Sequence, residues 1–317
     1  MRGTAKLPTK AQTGERPDAV SALRTSLAAL AADLSIEVTP KEALRGAAGL
    51  GELPPRTRTF ITRLPKGSFE ETLAAAMRLR ACGLNPVPHF TARTTADATT
   101  LARRLDRMVV EAGVEEILLV AGSNDRPEGP FASTIDILKC GVIESSGLRA
   151  LNVAGHPEGH PQANEAELHR ALDAKNEFAA RTGMPVALVT QFFFDAAPVI
   201  AWEERIRVLG NKLPIDPGLH GVTGMTSLMK HALACGVGAS VKVLAQRSGN
   251  LLQFAQIHAP DAMLGELAAA KAADASSMFR NVHMFPLGGF ERTVAWANSL
   301  RQGRISVTPE GRVTVAA

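Results

Sequence analysis

Two hydrophobic rhythms alternate along most of the chain. Apolar runs of strand length occur at Leu34–Val38, Thr59–Leu64, Pro86–Thr91, Glu116–Ala121, Ala150–Ala154, Val186–Phe193, Leu213–Leu219 and Val282–Leu287. Several, such as ILLVA and VALVTQFFF, are apolar at nearly every position, the pattern of a strand covered on both faces in a parallel sheet. Between the runs lie stretches with helical spacing. In Ala19–Ala32 the residues Val20, Leu23, Leu27 and Leu30 share one face. SFEETLAAAMRLRACG opens on Ser68 with Glu71 three positions on, a capping pair, and ADATTLARRLDRMVVEAG stops at Gly113. Eight strand signals alternating with helices predict an α/β fold, a (β/α)8 TIM barrel. A doubly wound open sheet is the rival, but the GxGxxG turn expected after its first strand is absent.

The barrel is expected over residues 21–300 as one catalytic domain. Residues 1–20, rich in Lys, Arg, Thr, Pro and Gly, read as a loose arm. In the tail, 301–317, RISVTPEGRVTV predicts a small hairpin turning at Pro309-Glu310-Gly311. GAAGLGELPPRTR reads as a long loop or broken helix.

Composition narrows the class. The 317 residues are 45% hydrophobic and 21% charged, which excludes a disordered or fibrous chain. No run approaches a membrane span, and the first twenty residues lack the apolar core of a secretory signal, so a cytoplasmic protein is expected. Cys82, Cys140 and Cys235 form no CxxC pair and read as buried thiols in a reducing compartment. A net charge of +4 without a basic stripe, and a chain with no Tyr, argue against a nucleic-acid partner.

In a parallel barrel, ligand groups sit at the C-terminal ends of the strands. Glu37 lies inside the apolar run LSIEV, where a carboxylate is paired or functional. His89 ends the third run and Arg93 follows it. The fourth opens into AGSNDRPEGP, with Asn124 and Asp125. The fifth opens into AGHPEGHPQA, where His156 and His160 are four apart, but Pro157 and Pro161 forbid the helix that a zinc pair would need, and no metal site is expected. Gln191 is polar in an apolar strand, with Phe193 and Asp195 close behind. No P-loop, nucleophile elbow or Ser-His-Asp order is present.

Taken together, SIEVTPK, PHFTAR, VAGHPEGHPQA and TQFFFD resemble the methylenetetrahydrofolate reductase family in content, order and spacing. The resemblance spans about residues 30–295. It implies a barrel that holds FAD at the strand C-termini, with NADH or NADPH as co-substrate and tetrahydrofolate derivatives as partners. Glu37 then matches the family's general acid, which protonates the folate N10; burial in an apolar strand would raise its pKa for that task. Asp125 matches the aspartate after the fourth strand, which lies near the flavin and contacts the folate pterin, and it is expected to be catalytic with Glu37; Asn124 beside it is a cofactor position. His89, His156 and His160 match cofactor-contacting positions, and Lys175 the lysine that meets FAD phosphates. Gln191, Phe193 and Met225 match the folate-binding side, Met225 standing where the family has a stacking Phe. The segment DPGLHGVTGM departs from the family, and Arg292 is shifted from the usual arginine.

The implied activity is interconversion of 5,10-methylenetetrahydrofolate and 5-methyltetrahydrofolate, in one-carbon metabolism or in methyl-group catabolism. The alternatives are a flavin-independent variant with direct hydride transfer, a non-redox pterin-binding methyltransferase, and an accessory subunit. A homo-oligomer is compatible with the sequence.

Overall fold

The computed structural model describes residues 19–64, 67–235 and 257–316. The arm expected over residues 1–20 lies almost wholly outside them. The chain opens with helix α1 (Ala19–Ala31), which buries Leu23, Leu27 and Leu30. Strand β1 (Ser35–Val38) follows, then helix α2 (Pro40–Arg45), whose Thr39 and Glu42 cap each other reciprocally. Strand β2 (Arg58–Ile61) precedes helix α3 (Phe69–Ala81), which carries the expected Ser68–Glu71 capping box. Strand β3 (Asn85–Thr91), helix α4 (Ala98–Ala112), strand β4 (Glu116–Val120) and helix α5 (Thr134–Lys139) continue the alternation. Gly113 ends α4 in the left-handed region at φ 60°, where a residue without Cβ is unstrained.

Strand β5 (Ala150–Gly155), helix α6 (Glu165–Thr182), strand β6 (Val186–Phe193), helix α7 (Ala197–Val208) and strand β7 (Ile215–His220) follow. A two-residue strand β8 (Thr223–Gly224), helix α8 (Met225–Cys235) and strand β9 (Ile257–His258) intervene before helix α9 (Asp261–Ala273). Strand β10 (His283–Phe285) is the eighth barrel strand, and helix α10 (Phe290–Arg301) packs behind it. The tail forms the antiparallel hairpin β11 (Ile305–Val307) and β12 (Val313–Val315).

The eight parallel strands close in the order β1-β10-β7-β6-β5-β4-β3-β2. This is the (β/α)8 barrel that the alternation predicts. Boundaries shift where local chemistry decides. The third to sixth runs hold to within a residue or so. β2 stops at Ile61, since Leu64 is already 40% exposed, and β10 stops before Pro286, which has no N–H for a ladder. Cys82 is exposed at the end of α3 and Cys140 half-buried, so neither is the buried thiol expected.

Outward-facing strand residues such as Ile36, Val38, Leu119 and Val153 join the helices in the main core. Inward-facing Phe60, Val87, Leu118 and Val189 fill the barrel interior, as stacked layers do in this fold. Below them the floor is ionic. Asp216, fully buried at the start of β7, receives Arg58 Nη2 at 3.1 Å and Arg280 Nη2 at 2.6 Å. Arg58 also pairs with Asp33 at 3.0 Å. Both guanidinium groups hold the Asp216 carboxyl below its ordinary range, although burial alone would raise it.

Candidate active site

Glu37 points into the barrel mouth from β1, above Phe60, its register partner on β2. Its Oε1 lies 3.3 Å from His89 Nε2 and 3.5 Å from His283 Nε2. Its Oε2 accepts a hydrogen bond from Thr62 Oγ1 at 2.9 Å. Both imidazoles come within ion-pair distance, but neither Nε2 makes a well-aligned hydrogen bond. The ring of Phe60 packs against both, with centroids 6.2 Å from His89 and 4.5 Å from His283.

Burial raises the Glu37 carboxyl, as the sequence implies. The charge of His89 and the contacts with His283 and His89 outweigh it, so the net displacement is well below the usual carboxylate range. This corrects the expected raised pKa: two partners from distant strands reverse the effect of burial. His283 is itself displaced downward, chiefly by burial, so the buried ring is neutral near pH 7.

A second group lines a cavity of about 540 Å³ between the β5–α6 loop, α6 and α7. It includes His156, His160, Lys175, Gln191 and Trp202. His156 and His160 stack edge to face at 5.0 Å, and His156 Nδ1 is buried without a hydrogen-bond partner. Burial, then the nearby Lys175 and His160, push His156 down to about 3, so it is neutral. Lys175 is 5% exposed and donates from Nζ to the Ala154 carbonyl at 2.8 Å. Burial alone lowers it to about 8, and no carboxylate pairs with it among the described residues. Among those residues, no three His, Cys, Asp or Glu side chains are grouped as metal ligands.

Gln191 reaches this cavity because of a bulge. Val189 pairs with Asp216, but Phe192 pairs with Gly218, so β6 carries one extra residue. Gln191 is left exposed at the cavity, while Phe192 and Phe194 turn inward and cluster with Met225 and Leu228. Phe193 faces outward into the helix-covered core. The expected substrate role of Phe193 is thereby corrected: the mouth is walled by the phenylalanines on either side of it. Met225 lies in that wall.

Asp125 is exposed on the loop after β4, where its Oδ1 accepts from Gln162 Nε2 at 3.4 Å. The Asn124 carbonyl accepts from Arg93 Nη1 at 2.9 Å, and the same nitrogen reaches Gln162 Oε1 at 2.8 Å. Arg93 therefore ties the β4 and β5 loops together. No contact joins Asp125 to the Glu37 cluster. Arg292 donates to the Val222 carbonyl at 3.3 Å, on the exposed rim. The residue missed in the sequence is His283. Its signal was a histidine inside an apolar strand that a closed barrel must lay beside Glu37.

The motif resemblance has an independent counterpart. A model of the methylenetetrahydrofolate reductase family matches residues 61–277. The chain belongs to that family. Methylenetetrahydrofolate reductase 2 of Saccharomyces cerevisiae is 27% identical over 135 residues, which cover 38% of this chain and 21% of the yeast protein. The 5,10-methylenetetrahydrofolate reductase of Pectobacterium carotovorum is 27% identical over 152 residues, 47% of this chain and 48% of that protein. The chain thus spans about half the length, or less, of these curated relatives. An uncharacterized Clostridium thermocellum protein, described as binding two copies of 5-methyl-5,6,7,8-tetrahydrofolic acid, superposes with a TM-score of 0.52 at 11% identity. That alignment covers 85% of this chain and 95% of the other, and the likeness is one of fold. Among the described residues no helix is long and apolar enough to cross a membrane.

Proposed function

We propose that this member of the methylenetetrahydrofolate reductase family interconverts 5,10-methylenetetrahydrofolate and 5-methyltetrahydrofolate, with a reduced nicotinamide as the other redox partner. The observation that carries the reading is Glu37, a carboxylate at the barrel mouth with its side chain 12% exposed, which shares one oxygen with two imidazoles. Opening the folate imidazolidine ring needs a proton at N10, and a carboxylate–imidazole cluster can hold and deliver one. Phe192, Phe194 and Met225 offer an apolar wall for a flat pterin. Gln191, in the cavity of His156 and Lys175, offers an amide from the adjoining turn of β6.

The residues present also fit FAD. Lys175 is a buried cation without a carboxylate partner among the described residues, suited to a pyrophosphate, and the His156 Nδ1, orphaned among those residues, is a polar atom for a ligand to satisfy. His160 and Asn124, at the same rim, would complete the holding set, with His89 and Asp125. When bound, the flavin supplies a hydride acceptor and donor between nicotinamide and folate. Lys175 would anchor it, Gln191 and the phenylalanine wall would orient the pterin, and Glu37 with His89 would manage the proton.

The test is to incubate the purified protein with excess FAD, desalt it, and record the visible spectrum. A retained flavin band that bleaches on adding 5-methyltetrahydrofolate supports the proposal. A colourless protein that still oxidises NADH only when methylenetetrahydrofolate is present moves the hydride directly between the two substrates. No folate-dependent redox change under either condition overturns the reading.

A further inference from the structure

His283 has no role of its own in the function as derived so far, yet it is held from both ring nitrogens' sides. It is fully buried on β10. Its Nδ1 lies 2.8 Å from Ser35 Oγ on the neighbouring strand, and its Nε2 faces Glu37 Oε1. The Phe60 and Phe285 rings flank it, the second edge-on at 4.7 Å. A serine hydroxyl that donates to Nδ1 puts the ring proton of a neutral imidazole on Nε2. That proton is then carried on the nitrogen that lies 3.5 Å from the carboxylate. His89, by contrast, lies at the edge of the mouth with its side chain 11% exposed, and faces the same oxygen.

We propose that His283 is a positioning residue: fixed by Ser35 as a neutral Nε2–H donor, it keeps Glu37 Oε1 as an acceptor and leaves the catalytic proton on the Glu37–His89 pair. The acid of the proposed reaction is then that pair, with His283 as its stationary third member. The inference rests on the proposed folate chemistry for its catalytic meaning, but the placement of the proton can be read without turnover. The groups that act on His283 are Glu37 from β1, His89 from β3 and, more remotely, Asp216 from β7, itself paired with Arg58 and Arg280. Those facing His89 are Glu37 and His283.

The tautomer makes a sharp distinction between substitutions. In His283→Gln the side-chain amide can replace the Nε2–H donor, whereas His283→Leu fills much of the space and donates nothing. Removing a donor makes Glu37 more basic and a stronger holder of a proton on His89. The experiment is a histidine-labelled NMR titration of the ligand-free protein, reading the His89 ring in the wild type and both variants. Folding is checked by circular dichroism. His283→Leu is expected to raise the midpoint by about one pH unit, the scale of losing one polar N–H from the side of a shielded carboxylate. His283→Gln is expected to stay near the wild-type value.

No shift in His283→Leu, or an equal shift in both variants, overturns the proposal. If the leucine variant does not fold, Ser35→Ala takes its place: loss of the tautomer lock should move the midpoint in the same direction, and an unmoved midpoint overturns the assignment. Where the protein turns over folate, the limbs of the kcat/KM pH profile should move with the NMR midpoint. A protein that shows the NMR shift without folate activity keeps this assignment and loses the proposed substrate.

Discussion

Glu37 and His89 meet across an intervening strand: β2 separates β1 from β3, yet Nε2 and Oε1 are 3.3 Å apart. The contact is possible because both side chains point inward above Phe60, the register partner of Glu37, whose ring lies 6.2 Å from that of His89. A carboxylate so placed is positioned for proton transfer and largely shielded from water.

Replacing Glu37 by Gln tests that role. The amide keeps the shape and can still accept from Thr62, but cannot carry the proton. Folate turnover should fall by about 10²–10⁴-fold, the usual worth of a positioned acid or base. Reduction of added FAD by NADH should continue. Stopped-flow absorbance separates the two half-reactions, and a variant that keeps full folate activity removes Glu37 from the mechanism.

In the proposed role, Lys175 links pH to FAD binding. Its buried ammonium is lowered to about 8 from an ordinary 10.5. Between those values the unfolded chain holds more protons than the folded one, so this group makes stability rise with pH over that window. The affinity for FAD should move the other way and weaken as pH passes upward through about 8. Fluorescence titration and urea unfolding from pH 7 to 10.5 read both trends, and Lys175→Met should flatten both. A wild-type FAD affinity that does not change across that range would mean the ammonium holds no phosphate.

At the barrel floor, Asp216→Asn leaves Arg58 and Arg280 without their shared counter-charge. Breaking a buried ion pair on one side costs about 3–5 kcal/mol, to be read as a lower urea midpoint. The wild type should also be acid-sensitive through this group. Its folded pKa lies below the unfolded 3.8, so its contribution is complete above that value and is lost as pH falls through the folded pKa. The asparagine variant should lack that component below about pH 4.

Gly218 is a close approach with no slack. A Cβ there would sit 2.6 Å from Phe285 Cε2, 2.6 Å from the Thr190 carbonyl and 2.7 Å from that of Gln191. The two carbonyls belong to the β6 bulge and cannot swing aside as a flexible side chain could. Gly218→Ala should destabilise by about 2 kcal/mol or more and weaken folate binding by disturbing Gln191. Thermal unfolding and calorimetry check it, and an alanine variant as stable as the wild type would show that the bulge yields.

Much of this was legible in the sequence, and what was not has identifiable causes. The eight apolar runs marked the barrel because burial on both faces leaves few polar interruptions. Glu37 stood out for the same reason in reverse. The phase of TQFFFD was not readable: one extra residue in β6 sets which phenylalanines face the mouth, and that depends on pairing with β7. The direction of the Glu37 shift also depended on long-range neighbours. Sequence shows that a carboxylate is in an apolar strand, but not that two imidazoles will meet it there. His89 is marked by its place at a strand end, whereas His283 lies at the start of its strand and matters only because the ring closes.

That closure has a consequence for how the protein comes to be active. Ser35 and His283 are 248 residues apart, and they meet at the seam where the first barrel strand pairs with the last. The carboxylate cluster is therefore a latch across that seam. A chain emerging from the ribosome can form seven strands and most of its helices while Glu37 still lacks one of its imidazoles. On the proposed chemistry, the cluster is complete only when the circle is, so forms that lack the last strand can keep helix content while Glu37 is without His283.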